Sequence, residues 1–554
     1  MNNEKLHPKI TEAHQMMEDG RMDRREFLRV ATILGMTAGA AYAMVGLPQP
    51  AEAAGHGGLP FGADDPNAKS GGILKVAMEI QKMDDPATYS WTEVSNQTRH
   101  VLEFLTLSGV DNITRPMLSE SWEASEDLKT WTFKIRKGVK WHNGDELVAD
   151  HIRFNFERWM DADLGSSNIG LSTFSAMVSE VDGKKKMNDG AVEVLDSHTI
   201  RMNLSKPVLS VPEDLSNYPA SIVHPSFTAP FSDNPMGTGA FELVELVVGE
   251  KCILKRKADH DYWGGKVYLD EIHYYNFSDE NSLTAFAGGD VDTIYEFGIE
   301  QLEFAKAIDG NILSAQTGQT LVLRMHVNEA PYDDVRVRRA FMMSVDNATI
   351  KPLVYPEGGD VGANYHVAPI HPEHFQLPAL KRDVEGAKAL LAEAGYEDGI
   401  EMTIEVGNLD GPWHQTVVEA IRDQVKDAGI DLKLNVIPAS KYWEIWTKTP
   451  FGATSWTHRP LGTMVLSLGY RTGVPWNESN FANAEFDAAL DAAEATIDVD
   501  ERRAKMELVQ KIMQDEAVAC IPMFRPLYSI ANASVKGLEL HPTQFHLFNK
   551  VWKA

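Results

Sequence analysis

Five histidines are the side chains in this sequence most able to hold a metal ion. They are His366, His371, His374, His414 and His458. Imidazole nitrogens are common ligands of Zn²⁺, Cu²⁺ and Ni²⁺. The first three lie in a segment that contains Pro369 and Pro372, however, and their spacing matches no closed structural zinc site. We therefore predict no metal centre.

The sequence patterns of the common catalytic centres are also missing. There is no Gly-x-Ser-x-Gly elbow, no Walker A loop and no His-Glu-x-x-His pair, and Gly237-Thr238-Gly239 lacks the third glycine of a dinucleotide-binding loop. The 80 acidic side chains are expected to be mostly solvated surface groups, so none stands out as a catalytic pair. We expect no catalytic residue and no cofactor.

Composition and charge narrow the class of protein further. The chain has 554 residues, of which 43% are hydrophobic and 24% charged, as in soluble proteins of several compact domains. Its formal net charge of −28 repels phosphate backbones and excludes nucleic acid as a partner. Cys252 and Cys520 allow at most one disulfide bond, and the alternative is two buried free thiols.

The N-terminal segment has the pattern of an export signal. Two arginines precede Phe-Leu and the moderately apolar stretch 30–47, and small residues follow at a signal peptidase position. The residues of the pattern are Arg24, Arg25, Ala51 and Ala53. They resemble the twin-arginine class, so we expect a signal peptide at 1–53, a flexible lead-in at 54–71 and a periplasmic product. The glycines in the apolar stretch argue against the alternative, a permanent membrane anchor, and no later apolar run is long enough to span a membrane.

Strand and helix patterns alternate through the remaining chain, as in α/β folds. Strands are predicted at 73–80, 130–141, 240–248, 251–256, 320–327, 402–406 and 431–437. Helices are predicted at 148–160, 334–347, 383–394, 414–428 and 485–515. Gly249-Glu250 suits a hairpin turn, and Gly395 and Gly429 suit helix C-termini.

Three groups of segments resemble one family, the bacterial extracellular solute-binding proteins of the peptide, opine and nickel class (family 5). The segments are 117–123 with 131–144; 236–242 with 262–265, 269–272 and 289–292; and 333–340 with 387–396. The resemblance implies an α/β, two-lobed periplasmic binding protein fold (type II, cluster C-like) with an extra α+β subdomain in lobe I.

The resemblance also implies domain boundaries. Lobe I takes 72–105, 225–322 and 522–554, the extra subdomain takes 106–224, and lobe II takes 323–520. Crossing segments near 322–328 and 518–524 form the hinge, which closes the lobes over a ligand.

A monomeric binding protein that delivers a small organic solute to the transmembrane subunits of an ABC permease is the function that the resemblance implies. Two alternatives within the family are an ordinary di- or oligopeptide receptor and a nickel-complex receptor. Alternatives from other classes are a periplasmic enzyme exported by the twin-arginine route and a chaperone.

One departure from the family pattern bears on the ligand. Peptide-binding members carry an acidic residue three positions after a strand-ending Trp, where it binds the peptide ammonium, whereas this chain has Trp456 followed by Arg459. A guanidinium repels an ammonium and suits a carboxylate or phosphate, so we predict an anionic solute group at Arg459 and a cationic one near Asp410. A structural salt bridge is the alternative role for Arg459. The candidate ligand-binding residues are Arg459, Trp456, His458, Asp410, Trp413, Trp476, Asn477, Arg471, Met83 and Tyr89.

Overall fold

The computed structural model describes residues 7–22, 24–36, 38–45, 61, 64–258 and 260–554. Its helices, in chain order, are α1 (Pro8–Glu18), α2 (Arg24–Ile33), α3 (Ala38–Met44), α4 (Thr92–Thr98), α5 (Ala149–Trp159), α6 (Ser172–Ser175), α7 (Val211–Asp214), α8 (Asp279–Gly288), α9 (Leu302–Ala307), α10 (Val335–Met343), α11 (Asn347–Val354), α12 (Val384–Glu393), α13 (Trp413–Val425), α14 (Ala439–Ile445), α15 (Gly462–Gly469), α16 (Ala484–Glu494) and α17 (Val499–Asp515).

The strands, in chain order, are β1 (Ile73–Ala77), β2 (Thr106–Ser108), β3 (Thr114–Pro116), β4 (Ser119–Ala124), β5 (Thr130–Ile135), β6 (Val178–Val181), β7 (Lys184–Met187), β8 (Val192–Asp196), β9 (Thr199–Asn203), β10 (Phe241–Val247), β11 (Lys251–Arg256), β12 (Glu271–Tyr275), β13 (Thr293–Ile294), β14 (Asn311–Met325), β15 (Asp360–Val361), β16 (Ile400–Val406), β17 (Ile430–Val436), β18 (Phe451–Trp456), β19 (Ala519–Cys520), β20 (Met523–Ala531), β21 (Val535–Lys536) and β22 (Trp552–Lys553).

Local sequence chemistry explains several element boundaries. The side chains of Asp334 and Asp383 accept backbone N–H groups at the starts of α10 and α12, which satisfies donors that the helix itself cannot pair. Gly429 ends the α13 segment in the left-handed region at φ 84°, and β17 then pairs in parallel with β16. Strands β16 and β17 with α13 between them therefore form a βαβ unit.

A mixed sheet carries the framework of the molecule. Its strands follow the order β10-β11-β12-β1-β13-β20-β14-β18-β16-β17. The long strands β14 and β20 run through its middle, and their pairing loses register between Ala315 and Gln319. Gln316, Thr317 and Gly318, called the joint below, therefore interrupt the pairing of these two strands just before the predicted crossing segment 322–328.

A second, four-stranded sheet of order β4-β5-β9-β8 lies outside the main sheet. It belongs to the range 106–224, which is called the insert below, while 323–520 is called lobe II. Trp131, Phe133 and Ile135 of β5 alternate into its core, and Ile152, Phe156 and Trp159 of α5 are also buried.

The insert and lobe II touch each other directly. Ser172 of the insert donates to Glu494 of lobe II at 2.6 Å, and the Leu209 amide donates to the Glu494 carbonyl at 3.0 Å. The side chains of Asn112 and His458 meet at 3.0 Å across the same boundary. Together with lobe I, the two parts enclose the space described next.

Three observations bear on the cysteines and the chain start. Cys252 and Cys520 are buried and unlinked, so the free-thiol alternative describes them. Within the described ranges, no helix is long and apolar enough to cross a membrane. Arg24 and Arg25 begin α2, while Ala51 and Ala53 lie outside the described residues.

Candidate functional site

A narrow cavity with about 20 Å³ of free space lies where lobe I, the insert and lobe II meet. Five tryptophans, one tyrosine and one arginine dominate its wall. The lining residues are Ser90, Trp91, Tyr218, Trp443, Trp446, Thr454, Ser455, Trp456, Thr457, Arg459 and Trp476. Apolar walls with a few placed polar groups are typical of small-molecule sites.

The tryptophans form a continuous row of ring contacts. Trp91 meets Trp443 with centroids 5.6 Å apart, and Trp443 meets Trp446 at 5.6 Å. Trp446 contacts Trp476 at 6.3 Å, and Trp476 contacts Trp456 at 5.9 Å. Tilted and edge-to-face pairs at these distances are favourable, so the five tryptophans form an ordered wall. These tryptophans are called the tryptophan cage, or the cage, below.

Local structure explains how lobe II supplies four of these rings. Trp456 ends β18, whose residues are all buried, and its backbone pairs with Thr320 of β14. Trp443 and Trp446 lie three residues apart at α14, and this spacing places side chains on one helix face. Trp456 donates from its indole nitrogen to Glu478 at 2.6 Å, which fixes the orientation of the ring.

Arg459 lies at the polar end of the cage and is 2% exposed. Its guanidinium donates to the Thr457 hydroxyl at 2.6 Å and to the Tyr218 hydroxyl at 3.2 Å, and it stacks 5.0 Å from the Tyr218 ring centre. Among the described residues, no carboxylate lies within ion-pair distance, and Nε has no hydrogen-bond partner. The structure thus does not provide the salt bridge that was the alternative role for Arg459.

A buried cation without a counter-ion is costly, so this arrangement is chemically unusual. Other buried arginines have carboxylate partners: Arg324 pairs with Glu478 at 3.1 Å and Arg525 pairs with Glu296 at 2.9 Å. Arg99 has no ion pair in the described ranges, but its guanidinium lies between the rings of Phe104 and Phe545. Arg459 borders the tryptophan-lined cavity, where an anion could reach it, while Arg99 borders a separate cavity.

Asp410 lies behind the cage in a different environment from the one predicted. Its carboxylate accepts from Arg525 at 2.7 Å, Gln319 at 2.8 Å and Ser455 at 2.9 Å, and it contacts His414. Burial by itself raises the pKa of Asp410, but His414 and Arg525 outweigh it and hold that pKa well below the ordinary value. Because Asp410 is neutralised internally, it has no charge left for a cationic ligand group.

The structure places two further candidates beside the cage but outside its wall. The ring nitrogens of His458 are engaged by the Gly318 amide at 2.9 Å and by Asn112. Trp413 packs edge-on against Tyr355 and lies under the guanidinium of Arg525. Both residues hold the site's framework together and do not line the cavity.

Four other candidates have structural roles. Arg471 pairs with Asp491 at 2.7 Å and Glu494 at 2.9 Å, and Asn477 ties its own loop to backbone carbonyls. Met83 and Tyr89 are buried in apolar clusters. The predicted candidates that do line the cavity are therefore Arg459, Trp456 and Trp476.

The histidines for which we predicted no metal centre pack against neighbouring groups. His371 stacks on His458 with centroids 5.6 Å apart and bonds the Arg459 carbonyl at 3.1 Å, which supports the loop that carries Arg459. In the described part of the chain, no group of three His, Cys, Asp or Glu side chains is arranged to hold a metal ion.

Four aromatic wall residues were missed by sequence reasoning: Trp91, Tyr218, Trp443 and Trp446. Trp91 and Tyr218 come from segments more than 120 residues apart, so only the folded topology brings them to Arg459. Trp443 and Trp446 carried a usable signal, because two tryptophans three residues apart on a short helix present a flat aromatic face.

Burial of histidines predicts a loss of stability in mild acid. Burial lowers the pKa of ten described histidines, and six of these shifts are the largest: to about 4 for His371 and His541, to about 3 for His546, and well below the ordinary value for His100, His366 and His458. Burial raises the pKa of six described carboxyl groups, which opposes the effect, and the largest shifts are to about 7 for Glu213 and Glu296 and to about 8 for Asp214.

The histidines outnumber the carboxyl groups, so the unfolded state binds more protons below pH 6.5, and stability present above that pH is lost as the pH falls. We expect the unfolding temperature, measured by calorimetry, to fall by about 5 °C between pH 7 and pH 5. A higher unfolding temperature at pH 5 would contradict these environments.

The chain is similar to a known protein family and to individual known proteins. Residues 114–470 match the family model described as bacterial extracellular solute-binding proteins, family 5 middle. The dipeptide-binding protein DppE of Bacillus subtilis is 26% identical over 548 residues, covering 92% of this chain and 97% of DppE.

Two solved structures share the fold. The murein tripeptide binding protein MppA of Escherichia coli superposes with a TM-score of 0.78 at 21% identity, covering 88% of this chain and 98% of MppA. The binding protein AgaA from A. tumefaciens R10, solved with agropinic acid, gives a TM-score of 0.76 at 22% identity, covering 87% and 99%. These superpositions show the two-lobed α/β fold, and the family match shows that this chain is a binding protein and not an enzyme and that it belongs to the bacterial extracellular solute-binding proteins of family 5.

Proposed function

We propose that this protein captures a small organic acid in the tryptophan cage around Arg459 and delivers it to the transmembrane subunits of an ABC importer. Its anionic group would pair with Arg459, and a flat or apolar body would lie between Trp456, Trp476 and their neighbours. Such a ligand buries apolar area against rigid rings and supplies the missing counter-ion in one step.

The buried Arg459 guanidinium, which has no ion pair with any described carboxylate, is the observation that carries this proposal. Charge-assisted hydrogen bonds to a carboxylate are about twice as strong as neutral ones, and the Arg459 Nε has no hydrogen-bond partner among the described residues. Thr457 and Tyr218 already hold the guanidinium in place, so binding costs little further side-chain entropy.

Relatives bind chemically different solutes. DppE is named for dipeptides and MppA for a murein tripeptide, whereas AgaA was solved with agropinic acid. An acidic solute fits the charge of this cage better than a free peptide amine does, because none of the described residues that line the cavity is a carboxylate that could receive an ammonium. A peptide receptor is the competing candidate, favoured by the identity to DppE.

The test screens residues 54–554, as purified, against matched pairs of compounds. Native mass spectrometry first detects any retained solute. Thermal shifts are then measured with aryl and alkyl carboxylates, their primary amides, unmodified dipeptides and Ni²⁺ with histidine. We expect shifts of several degrees with one or more carboxylates and none with the matching amides, because a ligand of the native state raises stability.

The anionic assignment would be overturned, in favour of the peptide receptor, if unmodified dipeptides were the only compounds to stabilise the protein and the amides performed as well as the carboxylates. Stabilisation by the nickel–histidine mixture alone would favour a nickel-complex receptor.

The cellular location and the domain boundaries belong to the same proposal. The twin-arginine pattern at Arg24 and Arg25 supports export to the periplasm. Division into lobe I, the insert and lobe II is supported by the separate insert sheet and by the joint at 316–318. The same proposal includes that the protein binds its permease as a monomer.

A further inference from the structure

The N-terminal helices α1, α2 and α3, called the leader here, are packed onto the body of the protein. Apolar side chains on α2 and just after it are buried, including Phe27, Leu28, Val30, Ala31 and Ile33. An isolated helix of ten residues is marginal in water, so this order comes from packing against the rest of the chain.

One set of leader contacts is made with the insert. The indole nitrogen of Trp122 in β4 donates to the Ile33 carbonyl at 2.7 Å, and both groups are buried. Gly35 lies so close to β4 that a Cβ atom there would be 2.1 Å from the Trp122 carbonyl oxygen. The helix α2 also packs against β3, so the leader follows the insert over two strands.

The other set is made with lobe II. Arg502 of α17 donates to Glu26 of the leader at 3.2 Å, and the two side chains are 3% and 4% exposed. Arg29 donates to the other Glu26 oxygen at 2.9 Å, so this buried carboxylate serves two guanidinium groups. A hydrogen bond from Lys9 to Glu12 raises the pKa of Lys9, and the charges of Glu501 and Asp498 at the start of α17 act in the same direction.

We propose that the leader is an intramolecular clasp that docks across the insert and lobe II and holds the solute cleft closed while it remains attached. The two parts that it bridges are those that meet at Arg459 and Tyr218 over the cage. Any opening that separates them must break the Trp122 or the Arg502 contact. Loss of the leader removes both contacts and frees the lobes to open.

Hydrogen exchange of the full chain, read by mass spectrometry without added solute, tests this clasp. Ala31 is fully buried on α2, so Ala31→Arg should expel the leader while leaving residues 54–554 unaltered. Ala43→Arg makes the same chemical change at an exposed position of α3 and is the matched control. Two readouts are followed: the amides of α2, and the peptide containing Leu209, whose N–H crosses from the insert to Glu494 of lobe II.

We expect both readouts to exchange at least tenfold faster in Ala31→Arg than in the wild type or in Ala43→Arg. Rapid exchange of α2 in every variant would show that the leader is not docked and would overturn the proposal. Faster exchange of α2 in Ala31→Arg with an unchanged Leu209 peptide would show docking without closure and would also overturn it. The outcome is independent of the solute's identity, so it separates from any failure of the anionic-ligand proposal.

Discussion

Replacing Arg459 with methionine is expected to weaken binding of an anionic solute by at least about 100-fold, or roughly 2.7 kcal/mol. The reason is that the guanidinium is the charged donor facing the cage, and its loss leaves the solute's carboxylate buried without a partner. Affinity is measured by calorimetry with the carboxylate that gives the largest thermal shift on the wild-type protein. Lysine at the same position keeps the charge but not the fork geometry, so the affinity of Arg459→Lys should lie between those of the wild type and Arg459→Met.

The stability of the solute-free protein separates this role from a structural one. Because no described carboxylate pairs with Arg459, Arg459→Met should leave the unfolding temperature unchanged or raise it. Arg153→Met, which removes an exposed arginine of α5, controls for net charge and should change neither quantity. A large fall in solute-free stability with an unchanged affinity would make Arg459 a packing residue and contradict the ligand assignment.

Replacing Arg525 with methionine is expected to destabilise the fold by about 3–5 kcal/mol. Arg525 lies on β20 and joins Glu296 of lobe I at 2.9 Å to Asp410 of lobe II at 2.7 Å, and all three side chains are at most 2% exposed. Its removal leaves Glu296 without its guanidinium partner and leaves Asp410 with His414 as its remaining basic partner among the described residues. The change is measured as the midpoint of denaturant unfolding.

A rescue experiment identifies the cause of this loss. The triple variant Arg525→Met, Glu296→Gln, Asp410→Asn removes the orphaned charges and should recover at least half of the lost stability. Burial already raises the pKa of Glu296 to about 7, so the single variant should also be less impaired at pH 5 than at pH 8. A loss below about 1 kcal/mol, or no recovery in the triple variant, would mean that the cluster does not join the lobes energetically.

Elements with a strong local signal could be predicted from the sequence. The apolar spacing of Ile152, Phe156 and Trp159 gave α5, and Gly429 marked the turn between α13 and β17. The first half of β14 was missed, because its polar stretch Ser314–Gln319 has no apolar alternation. That half is a strand because β20, about 200 residues later, provides its hydrogen bonds.

The site was harder to predict, for a physical reason. The substitution at Arg459 was visible because it departs from a family pattern, but its missing counter-ion was not, since any of 80 acidic residues could have supplied one. Asp410 looked available for the same reason, until the fold paired it with Arg525. The remaining walls depend on which distant segments meet, and Trp91 and Tyr218 have no local feature that marks them.

A crystal structure of residues 54–554 with the retained or screened solute tests the central claim most directly. The account predicts solute density between Trp456 and Trp476, with an anionic oxygen about 3 Å from the Arg459 guanidinium. A solute bound elsewhere, or an ammonium group at that position, would contradict it.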